Sequence, residues 1–357
     1  MKESKGKIMI LIIILMLSAG VSYVLKINTN KENNQNNNLI KIAIVFNKSG
    51  LGDKSFNDLC YDGALKSQEE LNIEFDYAQS NTSKEYETLC REYAKTNEYD
   101  LIIAVSGEEE DSIKKVAKEF TNQKFTIIDS KLELSNVSSI STKHSEQTFL
   151  NGVIAGLAIS KQKGRVDDSV GIVLGKDLDY LKQGAVGFEA GVRYINPKIK
   201  TITAVVDDFS NPAKAKEISL LMYSKGVSYI QHIAGESGLG VFAAAKEVDK
   251  YAFGVDGNQN LLDPDYIVST ATKYANKIIY EEIESIVNNT WTSGRKELGL
   301  KDNVIGYTRE GSNVNISNDI IDITEDIKKS IINKEIIIPS THESLENWIK
   351  SNKYTKY

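Results

Sequence analysis

A strand pattern, a polar loop and a helix pattern follow one another directly between residues 40 and 71. The largely apolar segment Ile40–Phe46 predicts a buried parallel strand, and the apolar spacing in Asp58–Leu71 predicts a helix. The loop between them, Ser49–Asn57, contains glycines, carboxylate and amide groups and the ring of Phe56. Since open α/β sheets bind ligands at the carboxyl ends of their strands, this loop predicts a binding site for a small molecule.

Strand and helix patterns continue to alternate along the chain, in two successive series. In the first series, strand patterns are separated by helical patterns, which indicates right-handed βαβ units and a parallel sheet. The second series begins with the amphipathic helix pattern Glu146–Ser160 and ends with the strand pattern Tyr251–Val255. The chain therefore predicts an α/β fold of two doubly wound, Rossmann-like lobes that are joined by three crossing segments and enclose one cleft. We expect an N-terminal lobe of residues 39–143 and about 260–300, and a C-terminal lobe of residues 144–259 and about 301–357.

The N-terminal residues have a different composition. Three lysines precede the uncharged apolar stretch Ile8–Leu25, which is typical of a signal peptide or of a membrane anchor. We interpret residues 1–27 as this segment and the Asn-rich residues 28–38 as a disordered tether. Val21 stands where a lipid-bearing cysteine would be required, so lipidation there is excluded, while cleavage and retention both stay open. Either outcome predicts a binding domain on the extracytoplasmic face of the cell membrane.

Composition and charge argue against several other functions. The formal net charge of −6 does not favour a nucleic-acid partner, which would require clustered basic residues. Cys60 and Cys90 lack metal-ligand spacing and only three histidines occur, so we expect neither a metal site nor a cofactor. His144 and His232 have no evident nucleophile partner. The sequence therefore favours a protein that binds its ligand without converting it.

Six short motifs follow one another from about residue 40 to the end of the chain. They are Gly52–Asn57, Phe188–Gly191, Asn211–Lys214, Ala234–Phe242, Gly254–Asp256 and Ile338–Thr341. With these motifs the chain resembles the basic-membrane-protein family of ABC transporter substrate-binding proteins, whose best-understood members are purine nucleoside receptors. The resemblance implies a type I periplasmic-binding-protein fold with a hinged cleft, a nucleoside ligand and a membrane permease as partner.

The resemblance also implies roles for individual residues. Phe56 and Phe242 match two aromatic residues that sandwich the base, and ring stacking on a base is favourable by about 1–3 kcal/mol. Asp256 matches a carboxylate that accepts hydrogen bonds from both ribose hydroxyls. The other interpretations are core packing for either phenylalanine and a turn-forming aspartate at position 256.

Four further residues complete the implied ligand set. Lys273 matches a lysine that contacts the sugar or the base, with a solvated lysine at a helix start as the alternative. Asn57 matches a family amide that could also cap the following helix. Asn47 stands where many relatives have aspartate, and because an amide both donates and accepts, this difference bears on base preference. Asp129 is a weaker candidate, with a structural role as the alternative.

Two other functions stay open at this point. A nucleoside hydrolase would require a metal or paired carboxylates, for which Asp53, Asp129 and Asp256 are conceivable, although stacking phenylalanines suit binding better. A membrane-anchored sensor or regulator would use the same cleft, and the missing lipid-bearing cysteine favours it slightly. The acidic run Glu108–Asp111 departs from the more apolar family pattern and could alter ligand choice.

Overall fold

The computed structural model describes residues 39–161 and 169–355. In these residues the strands form two six-stranded sheets, one in each lobe. The first sheet is entirely parallel and has the order β11-β5-β4-β3-β1-β2. Its strands are β1 (Ile40–Phe46), β2 (Ile73–Gln79), β3 (Leu101–Val105), β4 (Phe125–Ile128), β5 (Val137–Thr142) and β11 (Gly294–Leu298).

The second sheet has the order β12-β10-β9-β8-β6-β7, and only its edge strand β12 runs antiparallel to its neighbour. Its strands are β6 (Ser169–Leu174), β7 (Lys200–Val205), β8 (Val227–Ile233), β9 (Tyr251–Asp256), β10 (Ile267–Lys273) and β12 (Ile305–Thr308). The predicted pair of parallel α/β lobes is therefore confirmed.

Helices cover the faces of both sheets. Those of the first lobe are α1 (Phe56–Leu71), α2 (Ser83–Thr96), α3 (Glu110–Glu119) and α8 (Ala275–Val287). Those of the second lobe are α4 (His144–Ser160), α5 (Asp179–Ile195), α6 (Pro212–Ser224), α7 (Gly238–Glu247), α9 (Asn318–Ile332) and α10 (His342–Ser351). None of the helices in residues 39–161 and 169–355 is long and apolar enough to cross a bilayer. The signal or anchor segment and the tether that we predicted lie outside the described residues.

The helix α4 is buried on nearly all of its sides rather than on one face, contrary to the amphipathic pattern that we predicted. It packs against α5, α9, β10 and β12 at once. Close approach to α5 depends on glycine, because a Cβ atom on Gly152 would lie 2.1 Å from the carbonyl oxygen of Phe188. A helix that is covered on all sides is expected to be apolar on every face, and Phe149–Ile159 fits this expectation apart from Asn151.

In the described residues the chain crosses between the sheets three times, after β5, after β10 and after β11. The second crossing follows Lys273 rather than residue 260, because Ile267–Lys273 pairs with β9 inside the second sheet. We did not predict Gly294–Leu298 as a strand, since its polar side chains do not form an apolar pattern. As an edge strand it needs to pair on one side only, with β5.

Candidate ligand-binding cleft

A cavity lies between the lobes at the carboxyl ends of the strands. The centre of a water-sized sphere can occupy about 70 Å³ of it, and all the space between the surrounding atoms, open solvent included, amounts to about 620 Å³. Six of the seven residues that we expected to bind ligand line this cavity: Asn47, Phe56, Asn57, Asp129, Asp256 and Lys273. Loops from both lobes therefore meet at one site, as the strand-end argument predicts.

Phe242 does not line the cavity, so the stacking role that we inferred for it is wrong. It lies in α7, is only 4% exposed and belongs to the apolar core of the second lobe. Its ring meets the ring of His232 edge-on, with centroids 5.0 Å apart. Because α7 packs one face against β8, a residue one turn into the helix reaches the sheet instead of the cleft. The core-packing interpretation is the one that the structure supports.

A second aromatic residue, Phe209, lines the cavity from the loop after β7. The loop is held in place because Ser237 donates its backbone N–H to the carbonyl oxygen of Phe209 at 2.8 Å. A Cβ atom at Gly175 would lie 2.4 Å from the ring, so glycine at 175 makes room for the aromatic side chain. Phe209 could have been identified from the sequence, because like Phe56 it is an aromatic residue in a polar loop at the end of a strand.

The loop before α1 is organised by the buried carboxylate of Asp53. It accepts hydrogen bonds from the backbone N–H groups of Ser55, Asn57 and Asp58 and from the side-chain amide of Asn57, at 2.9–3.2 Å. Burial raises the pKa of Asp53 to about 6, against the lowering effect of the backbone hydrogen bonds from Asn57 and Ser55. Asp53 therefore caps the helix and fixes the direction in which Phe56 enters the cavity.

Two buried amides carry oxygen atoms without a partner in the described residues. Asn47 is 8% exposed and Asn57 is 4% exposed, and both line the cavity. The Nδ2 of Asn57 donates to Asp53 at 3.1 Å, which leaves its Oδ1 unused, and the Oδ1 of Asn47 is unused as well. Buried polar atoms are nearly always hydrogen-bonded, so these two oxygens are acceptors that remain available beside the cavity.

A buried ion pair joins the two lobes at the back of the cavity. The Nζ of Lys273, at the end of β10, lies 2.5 and 2.6 Å from the carboxylate oxygens of Asp129, which follows β4. Burial raises the pKa of Asp129, but Lys273 and then His144 outweigh it and hold this pKa well below its ordinary value. The Nζ of Lys273 also lies 4.5 Å from the ring centroid of Phe56. Lys273 thus positions both a carboxylate and an aromatic ring.

Asp256 presents a second carboxylate at the end of β9. Its Oδ1 accepts from the Nε2 of Gln147 at 3.1 Å, and its Oδ2 accepts from the hydroxyl of Ser55, in the other lobe, at 3.0 Å. Burial raises the pKa of Asp256, while Lys273 lowers it. The backbone has a φ of 64° at Asp256 and 63° at Asp129, a conformation that is uncommon outside glycine and that clusters at functional sites.

The core beside the cleft contains an uncharged histidine, His232. Its Nε2 lies 2.9 Å from the Oε1 of Gln259, which also accepts the backbone N–H of Val255, so Nε2 carries the proton. Burial lowers the pKa of His232 to about 4. The unfolded chain binds this proton near pH 6.5 and the folded chain does not, so stability falls as pH falls from 6.5 towards 4.

We expect His232 to make the protein about 2 kcal/mol less stable at pH 5 than at pH 8. Urea unfolding gives the free energy of unfolding of the wild type and of His232→Gln at both pH values. The contribution of His232 is the difference between the two proteins in how much this free energy changes from pH 8 to pH 5. Phe242→Leu is the matched control, because it disturbs the same packing without removing a titrating group. An unchanged pH dependence in His232→Gln would contradict the neutral state of this histidine.

Comparison with known proteins agrees with this geometry. The sequence profile of the family described as ABC transporter substrate-binding protein PnrA-like matches residues 40–342. Basic membrane protein A of Borreliella afzelii is 28% identical over 318 residues, which cover 87% of this chain and 94% of that protein. An uncharacterised lipoprotein of Pyrococcus horikoshii is 29% identical over 316 residues, which cover 85% of this chain and 77% of that protein.

Solved structures show the same architecture. An ABC transporter solute-binding protein from Aeropyrum pernix K1 matches with a TM-score of 0.78 and 25% identity, covering 88% of this chain and 98% of that chain. The expected type I periplasmic-binding-protein fold is confirmed by this similarity and by the two parallel sheets. The chain belongs to the family of PnrA-like ABC transporter substrate-binding proteins, which includes the basic membrane proteins.

Proposed function

We propose that this protein binds a nucleoside, with a purine base, between its lobes and delivers it to an ABC transporter permease. The observation that carries the proposal is the pair of aromatic rings, Phe56 from the first lobe and Phe209 from the second, in one cavity with polar ends. Flat aromatic ligands are recognised by stacking between such rings. We also propose that the segment before residue 28 holds the domain at the extracytoplasmic face of the membrane, as the lipoprotein relatives suggest.

The polar groups suit the two ends of a nucleoside. The unpartnered oxygens of Asn47 and Asn57 would accept N–H donors from the edge of the base. The carboxylate of Asp256 would accept hydrogen bonds from the vicinal ribose hydroxyls. Gln147 holds this carboxylate in position by donating a hydrogen bond to its Oδ1. The ion pair between Lys273 and Asp129 would fix the Phe56 ring against the base. Each contact is non-covalent, so the ligand leaves unchanged.

Movement of the lobes would admit and release the ligand. The three crossing segments are the only covalent connections between the sheets in residues 39–161 and 169–355. Hinge closure of two lobes over a ligand uses such short segments, in which a few residues absorb the change in backbone angles. In the closed arrangement the ligand bridges both lobes, and a permease can distinguish the closed surface from the open one.

A thermal-shift screen of the full-length chain tests the proposal directly. A nucleoside at 100 times its dissociation constant is expected to stabilise the protein by about 2.7 kcal/mol, which raises the melting temperature by several degrees. Guanosine, inosine and adenosine are compared with free bases, pyrimidine nucleosides and simple sugars. Stabilisation by sugars alone, or by none of these compounds, would contradict the nucleoside assignment.

Asp256→Ala separates recognition of the sugar from recognition of the base. We expect it to weaken nucleoside binding by about 10- to 100-fold, because a charge-assisted contact to the ribose is lost. Binding of the free base is expected to change by less than about 3-fold, since stacking is retained. Titration calorimetry with both ligands makes the comparison.

Asp249→Ala is the matched control for Asp256→Ala. Asp249 also has a positive φ, 53°, but is exposed on the surface of the same lobe, so the substitution imposes similar backbone strain away from the cavity. This control is expected to leave both affinities unchanged. If Asp256→Ala lowered the affinities for the nucleoside and for the free base equally, the carboxylate would not be the group that binds the ribose.

A further inference from the structure

An acidic turn of the first lobe meets a lysine of the second lobe at the mouth of the cleft. Glu108 lies in the 3₁₀ turn Gly107–Glu109 after β3, and Lys176 lies in the loop after β6. Their side chains form an ion pair and are 25% and 31% exposed, respectively. Part of the acidic run that departs from the family pattern thus has a partner across the cleft.

Lys176 contacts more than the acidic turn. Its Nζ lies 5.7 Å from the ring centroid of Phe209, so the same ammonium group faces both Glu108 and the aromatic ring. The neighbouring Gly175 donates its backbone N–H to the carbonyl oxygen of Ile233 at 2.9 Å, which anchors the loop to β8. Lys176 therefore couples contact between the lobes to the position of the ring.

A second ion pair of opposite polarity lies beside the first. The Nζ of Lys48, which follows Asn47 in the first lobe, is 3.8 Å from the carboxylate of Asp208 in the second lobe. Asp208 directly precedes Phe209. The first lobe contributes one acid and one base, and the second lobe contributes the complementary pair. Such reciprocal charges favour one alignment of the two lobes over shifted ones.

We propose that these four residues, Glu108, Lys176, Lys48 and Asp208, form an interlobe latch that favours closure without ligand and that positions Phe209 through Lys176. The latch is partly exposed, so salt weakens it, since the Debye length falls to about 3 Å at 1 M. Both ion pairs separate each time the lobes open. Closure without ligand is independent of the proposed function, whereas slowed release of a nucleoside rests on it.

Single-molecule energy transfer on the full-length chain measures closure without any ligand. Dyes are attached to cysteines that replace the exposed Lys84 and Lys214, near the starts of α2 and α6, while the native Cys60 and Cys90 are fully buried and do not react. We expect Lys176→Glu to raise the ratio of open to closed molecules by about 3- to 10-fold. Addition of 1 M NaCl to the wild type is expected to act in the same direction.

Charge exchange distinguishes the latch from a merely structural role. Glu108→Lys is expected to open the cleft as Lys176→Glu does, and the double variant Glu108→Lys/Lys176→Glu is expected to restore closure. Lys182→Glu is the matched control, because Lys182 pairs with Asp177 inside the second lobe. Closure that is unchanged in Lys176→Glu, or not restored in the double variant, would overturn the proposal.

The rate of ligand release provides the second measurement. In stopped-flow experiments with the nucleoside found by the thermal screen, Lys176→Glu is expected to increase the dissociation rate constant by about 3- to 10-fold, with a smaller effect on association. Lys176→Arg keeps the charge and is expected to keep the wild-type rate. If no nucleoside binds, the proposed function is wrong, and the energy-transfer experiment still tests whether the ion pairs favour closure without ligand. Equal dissociation rates for the wild type and Lys176→Glu would overturn the positioning role.

Discussion

Lys273→Met is expected to lower the free energy of unfolding by about 3–5 kcal/mol. The side chains of Lys273 and Asp129 are 2% and 8% exposed, so the methionine variant leaves a carboxylate buried beside the cleft without its main counter-charge. The cost arises from this uncompensated charge rather than from the lost ion pair itself. Urea unfolding at neutral pH, with fluorescence and circular dichroism as probes, measures the difference.

Two further variants test the reason for this loss. Lys273→Met combined with Asp129→Asn is expected to recover most of the lost stability, because the carboxylate that loses its main counter-charge is then removed as well. Lys95→Met, which breaks a surface pair with Glu92, is expected to cost less than about 0.5 kcal/mol, since these side chains are 54% and 61% exposed. A double variant no more stable than Lys273→Met alone would show that packing, not charge, explains the effect.

Loss of the two phenylalanine rings that line the cavity, Phe56 and Phe209, is expected to have the largest effect on binding. Each stacked ring is worth about 1–3 kcal/mol, so Phe56→Ala and Phe209→Ala should each weaken nucleoside binding by roughly 5- to 150-fold. The double variant is expected to lose about 2–6 kcal/mol of binding free energy, provided that the two rings contact opposite faces of the base. Titration calorimetry on variants with native circular dichroism measures these losses.

Phe242→Leu is the control that separates the two assignments of the second ring. Phe242 is buried in the second lobe and does not line the cavity, so its replacement is expected to change stability but not affinity. Weaker binding in Phe242→Leu together with unchanged binding in Phe209→Ala would reverse the assignment that the structure supports.

The parts of the fold that could be predicted are the strands and helices whose apolar residues recur with regular spacing in the local sequence. The buried run at Ile40–Phe46 and the following helix occur where the apolar spacing indicates, because parallel strands covered on both faces are apolar throughout. The strand Gly294–Leu298 was not predicted, because its side chains are mostly polar and give no apolar pattern. It joins the edge of the first sheet through its backbone, and half of its side chains remain in water. Local sequence carries little information about such a pairing.

The candidate site was predicted in part. Residues at or just after the carboxyl ends of strands, such as Asp256 and Asp129, must lie at that end of the sheet in any doubly wound lobe, and both line the cavity. Phe242 lies inside a helix, where the face that it occupies depends on how the helix packs. The partner of Glu108, Lys176, is 68 residues away in the other lobe, so only the assembled fold brings the two together.

The way in which the chain crosses between the lobes has a consequence for synthesis. Strand β5 is complete at Thr142, yet its outer neighbour β11 is made only when residue 298 is reached, more than 150 residues later. Until then strand β5, which is fully buried in the finished protein, forms the edge of the first sheet, and an edge of this kind recruits other strands. The early lobe therefore cannot finish folding as it leaves the ribosome. Completion of the first lobe thus depends on residues that are made only after most of the second lobe.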